Sequence, residues 1–194
     1  MKKKIGNQNV LYPSLVTIVG AIVNGKVNFV NIAHVGILNA HAPHLISFGM
    51  NKAHHTNIGI RENKAFSVNI LSQDQLVEAD YVGLVSGGTT DKSGVFKTFF
   101  GELKTAPLIQ DCPLSMECRL HDTYDTGTHE LFIGEVVATY ADEAVLSEGK
   151  VDLAKVRPLL FDMSSLQYWS LGTVAGKCWN AGKQYKKPYV PKPV

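Results

Sequence analysis

Short segments rich in β-branched residues, separated by turn residues, are the feature that most limits the fold of this 194-residue chain. Residues 16–23 and 27–33 are predicted to pair as a hairpin, because the Asn24-Gly25 pair between them tolerates the positive φ of a tight turn. Further strands are predicted at residues 45–50, 65–70, 116–121, 131–140 and 166–171. Because few helices separate these strands, the sequence favours a mainly β fold, a β-barrel with attached helices, over a doubly wound parallel sheet.

Local patterns also predict two helices and the faces of one strand. Residues 54–62 are predicted to form a short helix. Ser72 and Gln75 form a capping-box pattern ahead of apolar residues that recur at helical spacing up to Leu84. Within residues 116–121 apolar and polar residues alternate, which predicts a half-buried strand with Glu117 on its polar side.

The composition excludes several classes of protein. Apolar residues make up 45% of the chain and charged residues 19%, which is typical of a folded globular chain and not of a disordered or fibrous one. No apolar run reaches the roughly 18 residues of a membrane helix, and no apolar segment with a cleavage site follows the basic start, so we expect neither a membrane partner nor a secretory signal. The odd number of cysteines (Cys112, Cys118 and Cys178) predicts reduced thiols in a cytoplasmic protein.

The net charge of +2 conceals two basic ends around an acidic middle. Lysines are concentrated in residues 2–4 and 177–192, whereas nucleic-acid-binding proteins usually concentrate basic residues on a folded face. We therefore expect no nucleic-acid partner. Because the sequence has neither a repeat nor a linker that splits it, we predict one domain, residues 1–172, followed by a basic, proline-containing tail, residues 173–194.

Several familiar motifs are missing or incomplete. No two glycines are spaced as Gly-x-Gly, which excludes the dinucleotide fingerprint of a Rossmann unit. Residues 20–26 spell the first part of a phosphate loop, but Val27 stands where a Ser or Thr binds magnesium, so the hairpin is favoured. Pro43 argues against a helix that presents both His41 and His44, and the cysteines lack the close pairing of zinc sites, so no metal is expected. No Gly-x-Ser-x-Gly elbow is present, and the catalytic residues stay unassigned.

Three polar stretches are candidates for binding a phosphate and a flat polar ring. In residues 31–36, small side chains let a ligand approach the backbone, although ordinary strand ends share this feature. Residues 51–56 precede a predicted helix, whose first N–H groups attract anions; the alternative is an ordinary N-cap at Thr56. Residues 86–92 combine hydroxyls, glycines and a lysine as in an anion nest, or form a plain surface loop. His129 begins a strand after a turn and is either a ligand contact or a satisfied strand end.

Taken in order, several short segments resemble the flavin reductase-like family, the FMN-binding split barrels that include flavoredoxin. Their ordered co-occurrence is specific, although each segment alone is a weak motif. They span about residues 10–172 and comprise Asn31-x-Ala33, His55-Thr56, residues 66–70, residues 79–83, Ser86-Gly87, Asp91-Lys92, residues 106–109, Cys112-Pro113, residues 117–119 and residues 129–136.

The resemblance implies an FMN-binding split β-barrel that forms a homodimer and holds one FMN non-covalently near the subunit interface. The residues expected to line the isoalloxazine ring are Asn31, Ile32, Ala33, His34 and Val35. The residues expected at the phosphate or ribityl chain are Lys52, His55 and Thr56, with Ser86, Gly87 and Lys92 nearby. His129 is expected to approach the flavin from the next strand.

The resemblance leaves three functions open. The favoured one is an NAD(P)H-dependent flavin reductase-like oxidoreductase, in which FMN carries the redox step and the protein supplies geometry and electrostatics. The alternatives are a flavoredoxin-type electron carrier reduced by a redox partner protein, and a non-catalytic binding domain that has lost its flavin. The aromatic residues of the tail, Trp179, Tyr185 and Tyr189, are predicted either to cover the flavin or to belong to a solvated tail.

Overall fold

The structure is a computed structural model and describes residues 1–185; Tyr189 and its neighbours lie outside the described residues. The helices are α1 (Thr56–Asn63), α2 (Leu76–Leu84) and α3 (Leu153–Val156). The strands are β1 (Ser14–Leu15), β2 (Thr17–Val23), β3 (Lys26–Ile32), β4 (Val35–Asn39), β5 (Leu45–Asn51), β6 (Ala65–Ile70), β7 (Thr98–Phe99), β8 (Leu108–Ile109), β9 (Leu114–Asp125), β10 (His129–Ala141), β11 (Leu146–Ser147), β12 (Lys150–Val151), β13 (Leu159–Asp162) and β14 (Gln167–Ser170).

Seven antiparallel strands form the main sheet, in the order β3-β2-β6-β9-β10-β5-β4. The predicted hairpin is its first pair, with Val23 opposite Lys26 and with Asn24 and Gly25 both at positive φ in the turn. The edge strands β3 and β4 are joined by residues 33–34, so this connection brings the two ends of the sheet together. The predicted mainly β fold is confirmed. Within residues 1–185 the strand pairing stays open between β3 and β4 and does not form a closed ring.

Both faces of the main sheet pack against apolar side chains. Along β2, Val19 belongs to one core cluster and Ile18 to another, as the alternation of a strand requires. The second cluster also contains Phe29 of β3, Val82 of α2 and Leu159 of β13. Burial of side chains of this size contributes about 1.5–3 kcal/mol each, so this cluster holds α2 and β13 beside β3.

Helix positions follow the sequence patterns closely. The helix predicted for residues 54–62 is α1, and the capping box of Ser72 and Gln75 is confirmed, since the Ser72 side chain accepts from Asp74 and the Gln75 side chain accepts from the N–H of Ser72. This box begins a single turn of 3₁₀ helix that leads directly into α2.

The strands β4 and β13 were not predicted, nor were the two-residue strands β1, β7, β8, β11 and β12. The edge strand β4 pairs with β5, although Ile37 and Leu38 are exposed and give it no alternating pattern. Strand β13 lies between β1 and β14 in a separate three-stranded sheet, here called the small sheet. Because β1 and β13 come from opposite ends of the chain, no local pattern indicates this sheet.

The prediction that Glu117 lies on the exposed side of its strand is wrong, because its side chain is fully buried. Its carboxylate accepts hydrogen bonds from the N–H groups of Glu102 and Leu103 and from the hydroxyl of Tyr140. These three donors come from a loop and a neighbouring strand that fold over β9. A carboxylate is stable in a buried position only where such donors replace its hydration. The alternation of apolar and polar residues does not indicate that these donors are present.

All three cysteines are free thiols. Cys112 and Cys118 are buried free thiols, and Cys178 is an exposed one. No helix in the described part of the chain combines the length and the apolar character needed to cross a membrane.

Candidate functional site

A cleft of about 440 Å³ lies where β3 leaves the main sheet. We call it the main cleft. Its first wall consists of residues that the sequence singled out, namely Asn31, Ile32, Ala33, His34 and His129. His129 is the first residue of β10 and pairs with Asn51 at the end of β5, and Gly49 of β5 donates to the carbonyl of His34, so His129 lies near the segment that follows β3. Val35 does not line the cleft; it pairs with Phe48 and packs against the core.

The opposite wall of the main cleft was missed from the sequence. It consists of small-sheet residues Phe161, Met163, Leu166 and Tyr168, together with Asp80 and Leu84 of α2. Strand alternation explains this wall, because Phe161 and Tyr168 oppose each other in β13 and β14 and share one face of the small sheet. The pattern in residues 166–171 predicts a strand, but nothing in it indicates which side meets β3.

A polar network ties the two walls together. The Tyr168 hydroxyl donates to Oδ1 of Asp80 at 2.9 Å and accepts from Nδ2 of Asn31 at 3.2 Å, and Asn31 also donates to the carbonyl of Ala79 at 2.9 Å. Burial and the hydrogen bond to Asp80 raise the pKa of Tyr168 to about 12. Tyr168 is therefore a protonated donor at neutral pH, and its position beside β3 is fixed.

A second pocket, of about 290 Å³, continues from the main cleft to the start of α1. We call it the helix pocket. It shares Asn51, His54, Gly83 and Leu84 with the main cleft, and its own lining includes the predicted residues His55, Thr56, Ser86, Gly87 and Lys92. The two are therefore one continuous site with a wide end and a narrow end.

The start of α1 supplies backbone donors to the helix pocket. The N-cap residue is His55, whose side chain makes no capping hydrogen bond, so the alternative of an ordinary N-cap at Thr56 does not occur. The Thr56 hydroxyl is buried and accepts from Nδ2 of Asn28 at 2.7 Å. Within residues 1–185, the N–H groups of Thr56 and Gly87 have no acceptor. The free N–H of Thr56 at the helix start and the free N–H of Gly87 in the neighbouring loop favour an anion.

Gly87 makes the close approach of the neighbouring loop possible. A Cβ atom at this position would overlap the side-chain amide of Asn28, whereas a Cβ at the neighbouring Gly88 would make only ordinary contacts. The loop is a tight turn in which the N–H groups of Thr89 and Thr90 donate to the carbonyl of Ser86. The pocket therefore has a wall of bare backbone at Gly87.

Lys92 is buried beneath the helix pocket. Its Nζ donates to the carbonyl of Phe29 at 2.9 Å and to the carbonyl of Val82 at 2.8 Å. Burial lowers the pKa of Lys92 to about 8. This ammonium therefore places a positive charge, with no carboxylate bonded to it, between β3, α2 and the pocket.

Lys52 lies outside both linings. Its exposed ammonium forms an ion pair of 2.7 Å with Asp125, at the end of β9. The residue follows directly from β5, and its N–H donates to the carbonyl of Thr128 in the turn at residues 126–128. Contact between Lys52 and a ligand stays a prediction.

The continuous site fits a ligand with a flat polar ring at one end and a phosphate at the other. Aromatic and apolar side chains of the small sheet face amide and imidazole groups across the main cleft, which suits a flat heteroaromatic ring. Unpaired N–H groups, the bare backbone at Gly87 and the Lys92 charge suit a phosphate. The donor set of the site thus agrees with FMN.

Comparison with known proteins gives a consistent result. The family model described as "Flavin reductase like domain" matches residues 10–170. The crystal structure of flavoredoxin from Methanosarcina acetivorans is 44% identical, with a TM-score of 0.91, and the match covers 94% of this chain and 98% of that chain. An FMN-binding protein from Thermus thermophilus, solved with bound 1-cyclohex-2-enone, is 25% identical with a TM-score of 0.76, over 91% of this chain and 100% of that one.

Curated relatives are more distant. A ferric-chelate reductase (NAD(P)H) from Archaeoglobus fulgidus is 32% identical over 124 residues, which is 56% of this chain and 70% of the relative. The chain spans 59% and 64% of the length of two other curated relatives that it matches.

Proposed function

This chain belongs to the flavin reductase-like family, and we propose that it is an oxidoreductase that binds FMN across the main cleft and the helix pocket. The observation that carries the proposal is the continuity of these two cavities, which share Asn51 and His54. One molecule with a ring, a ribityl chain and a phosphate fills such a site from end to end.

In this proposal the main cleft holds the isoalloxazine ring. Asn31, Ala33 and His34 lie along one side of the ring, His129 approaches it from β10, and Tyr168 packs from the small sheet. FMN when bound supplies the redox chemistry, since it accepts and donates two electrons. The protein orients the ring, and the half-buried side chains of Phe161 and Tyr168 in the opposite wall shield it from water on that side.

The helix pocket holds the phosphate. The N–H groups of Thr56 and Gly87 and the hydroxyl of Ser86 are the donors that line it, and Lys92 supplies positive charge from beneath. Charge-assisted hydrogen bonds contribute about 1.5–3 kcal/mol each, so the loss of two of them with riboflavin weakens binding by roughly 100-fold or more.

For the electron donor we propose NAD(P)H. This is supported by the NAD(P)H-dependent activity for which the ferric-chelate reductase relative is named and by the exposure of Leu84 and Leu166 at the lip of the main cleft, 76% and 74%. Hydride transfer requires a nicotinamide within roughly 3–3.5 Å of the flavin, and an open lip permits that approach. The second candidate is an electron carrier reduced by a protein partner, which the 44% identity with a flavoredoxin favours.

A homodimer in the cytoplasm stays a prediction. The exposed apolar residues Val77 and Tyr81 of α2 and Met163 of the small-sheet turn are the surface that a second subunit would cover, while Leu84 and Leu166 stay open at the lip. Sedimentation equilibrium at micromolar concentration tests this, since a mass of about 21 kDa would contradict a dimer.

One anaerobic experiment separates the three functions. The purified protein is titrated with FMN and with riboflavin, and the FMN-loaded protein is then mixed with NADH, NADPH or dithionite while the flavin absorbance is followed. A reductase binds FMN more tightly than riboflavin and is bleached by a nicotinamide. Bleaching by dithionite alone supports the carrier, and the absence of FMN binding contradicts the proposal in favour of a domain without flavin.

A further inference from the structure

His54 occupies the junction of the two cavities. It lines both the main cleft and the helix pocket. Its backbone is held on both sides, because its N–H donates to the carbonyl of Asn51 at 3.0 Å and its carbonyl accepts from the N–H of Asn57 at 3.2 Å. The imidazole is therefore presented to the site from a fixed point of the chain.

The ring of His54 differs from the other imidazoles of the main cleft. The ring of His34 lies 3.1 Å from the Tyr12 hydroxyl, and the ring of His129 lies 2.9 Å from the Thr128 hydroxyl. Among the described residues, the His54 ring has neither a hydrogen-bond partner nor an ion-pair partner. Both of its nitrogens are available to a ligand.

The charges around His54 are mostly positive. Partial burial, Lys92 and His129 lower its pKa, in that order of importance. The titratable groups that share its two cavities are His34, Asp80, His129 and Tyr168 in the main cleft, and His55 and Lys92 in the helix pocket. Asp80 is already the acceptor of the Tyr168 hydroxyl. His54 is therefore neutral in the free protein at neutral pH.

We infer that His54 is a proton-coupled FMN-binding residue: its imidazole takes up a proton when the phosphate of FMN enters the helix pocket, and the imidazolium then pairs with that anion. The inference rests on the proposed function. A phosphate monoester is mainly a dianion above about pH 6, and an anion close to a histidine favours the charged imidazole. The negative charge of the phosphate therefore opposes the positive charges of Lys92 and His129, which lower the pKa of His54.

The coupling between proton binding at His54 and FMN binding fixes the direction in which FMN affinity changes with pH. If FMN raises the pKa of His54, the complex binds more protons than the free protein, and FMN affinity increases as the pH falls between the two pKa values. The limit is roughly a tenfold change in the dissociation constant for each pH unit. Lys92 titrates near pH 8, so the effect of His54 is measured below that.

The test measures FMN and riboflavin binding by flavin fluorescence between about pH 7.5 and about pH 6.5. Calorimetry in two buffers of different ionisation enthalpy gives the number of protons taken up. We expect the wild-type protein to bind FMN several-fold more tightly at the lower pH, with net proton uptake, whereas riboflavin binding stays unchanged over this range. We expect His54→Gln and His54→Asn to lose both the pH dependence and the uptake.

The control is His121→Gln, because His121 lies in a separate groove beside Arg61 and Lys64; it should keep the wild-type profile. A pH dependence of FMN binding that persists in both His54 variants, or that riboflavin shares, would overturn the inference and leave the proposed function intact. A protein that binds FMN at no pH would instead contradict the proposed function itself. Thermal unfolding of each variant establishes that it is folded.

Discussion

Nδ2 of Asn31 donates a hydrogen bond of 3.2 Å to the hydroxyl of Tyr168, a residue 137 positions later in the chain. The same hydroxyl donates to Asp80. Three elements, β3, α2 and β14, thus meet at one oxygen atom at the base of the main cleft. These hydrogen bonds add to the apolar cluster that holds β13 beside β3, because the small sheet has no strand pairing with the main sheet within residues 1–185.

Replacing Tyr168 with Phe tests the meeting point. The ring remains but Asn31 and Asp80 each lose a partner, so we expect the free energy of unfolding to fall by about 1–2 kcal/mol and the FMN dissociation constant to rise several-fold. Urea unfolding and FMN titration measure the two effects. Tyr124→Phe is the control, since Tyr124 is exposed at the end of β9. Equal stability of both variants would mean that the hydrogen bonds of Tyr168 with Asn31 and Asp80 make no net contribution to the free energy of unfolding.

Gly87→Ala and Gly88→Ala form a matched pair. A Cβ at residue 87 would displace the Asn28 amide, which donates to Thr56, while a Cβ at residue 88 has room. We expect Gly87→Ala to weaken FMN binding by more than about tenfold, because both the backbone wall of the helix pocket at residue 87 and the start of α1 shift. Gly88→Ala should bind FMN as the wild type does. Similar dissociation constants for the two variants would remove Gly87 from the phosphate site.

Glu117→Ala should be strongly destabilising although Glu117 is remote from the site. The substitution leaves the N–H groups of Glu102 and Leu103 and the Tyr140 hydroxyl without their acceptor. We expect a loss of about 2–4 kcal/mol in the free energy of unfolding, since each buried unsatisfied group costs about 1–3 kcal/mol. The exposed Glu62→Ala should change it by less than about 0.5 kcal/mol. Denaturant unfolding of both variants gives the comparison.

The stability of the wild type and that of Lys92→Met should depend differently on pH. The pKa of Lys92 is about 8 in the folded protein, below its ordinary value of 10.5. Above pH 8 the folded protein therefore loses a proton that the unfolded chain retains, and the wild type gains stability as the pH rises from about 8 to about 10.5. Lys92→Met lacks this gain. Unfolding curves at about pH 7 and about pH 10 should show the wild type improving relative to the variant, and parallel curves would contradict the lowered pKa.

Removal of residues 177–194 tests whether the basic tail covers the flavin. If it does, we expect the Michaelis constant for the nicotinamide to change while FMN stays bound, because the lysines attract an anionic dinucleotide and the aromatic residues cover the ring. Steady-state kinetics with NADH and NADPH measure this, and FMN titration is the control. Unchanged kinetics would identify the segment as a solvated tail.

The sequence by itself determined the parts of this protein that depend on neighbours along the chain. The Asn24-Gly25 hairpin, the presence of a helix at α1, the capping box at Ser72 and the polar turn at Ser86 are local, since turn and cap preferences act over a few residues. The segments expected at the ring and the phosphate also lie together, apart from Val35 and Lys52.

Only the tertiary structure decided the rest. The wall formed by Phe161 and Tyr168 requires β13 to pair with β1, and the burial of Glu117 and Lys92 requires acceptors and donors from elements far away in the sequence. The elements that pack over a charged side chain decide its surroundings. Lys52 faces water, whereas Lys92 faces two carbonyl oxygens. A local sequence pattern cannot indicate whether such a side chain is buried, because burial and hydrogen bonding depend on how the sheets assemble and not on the residue alone.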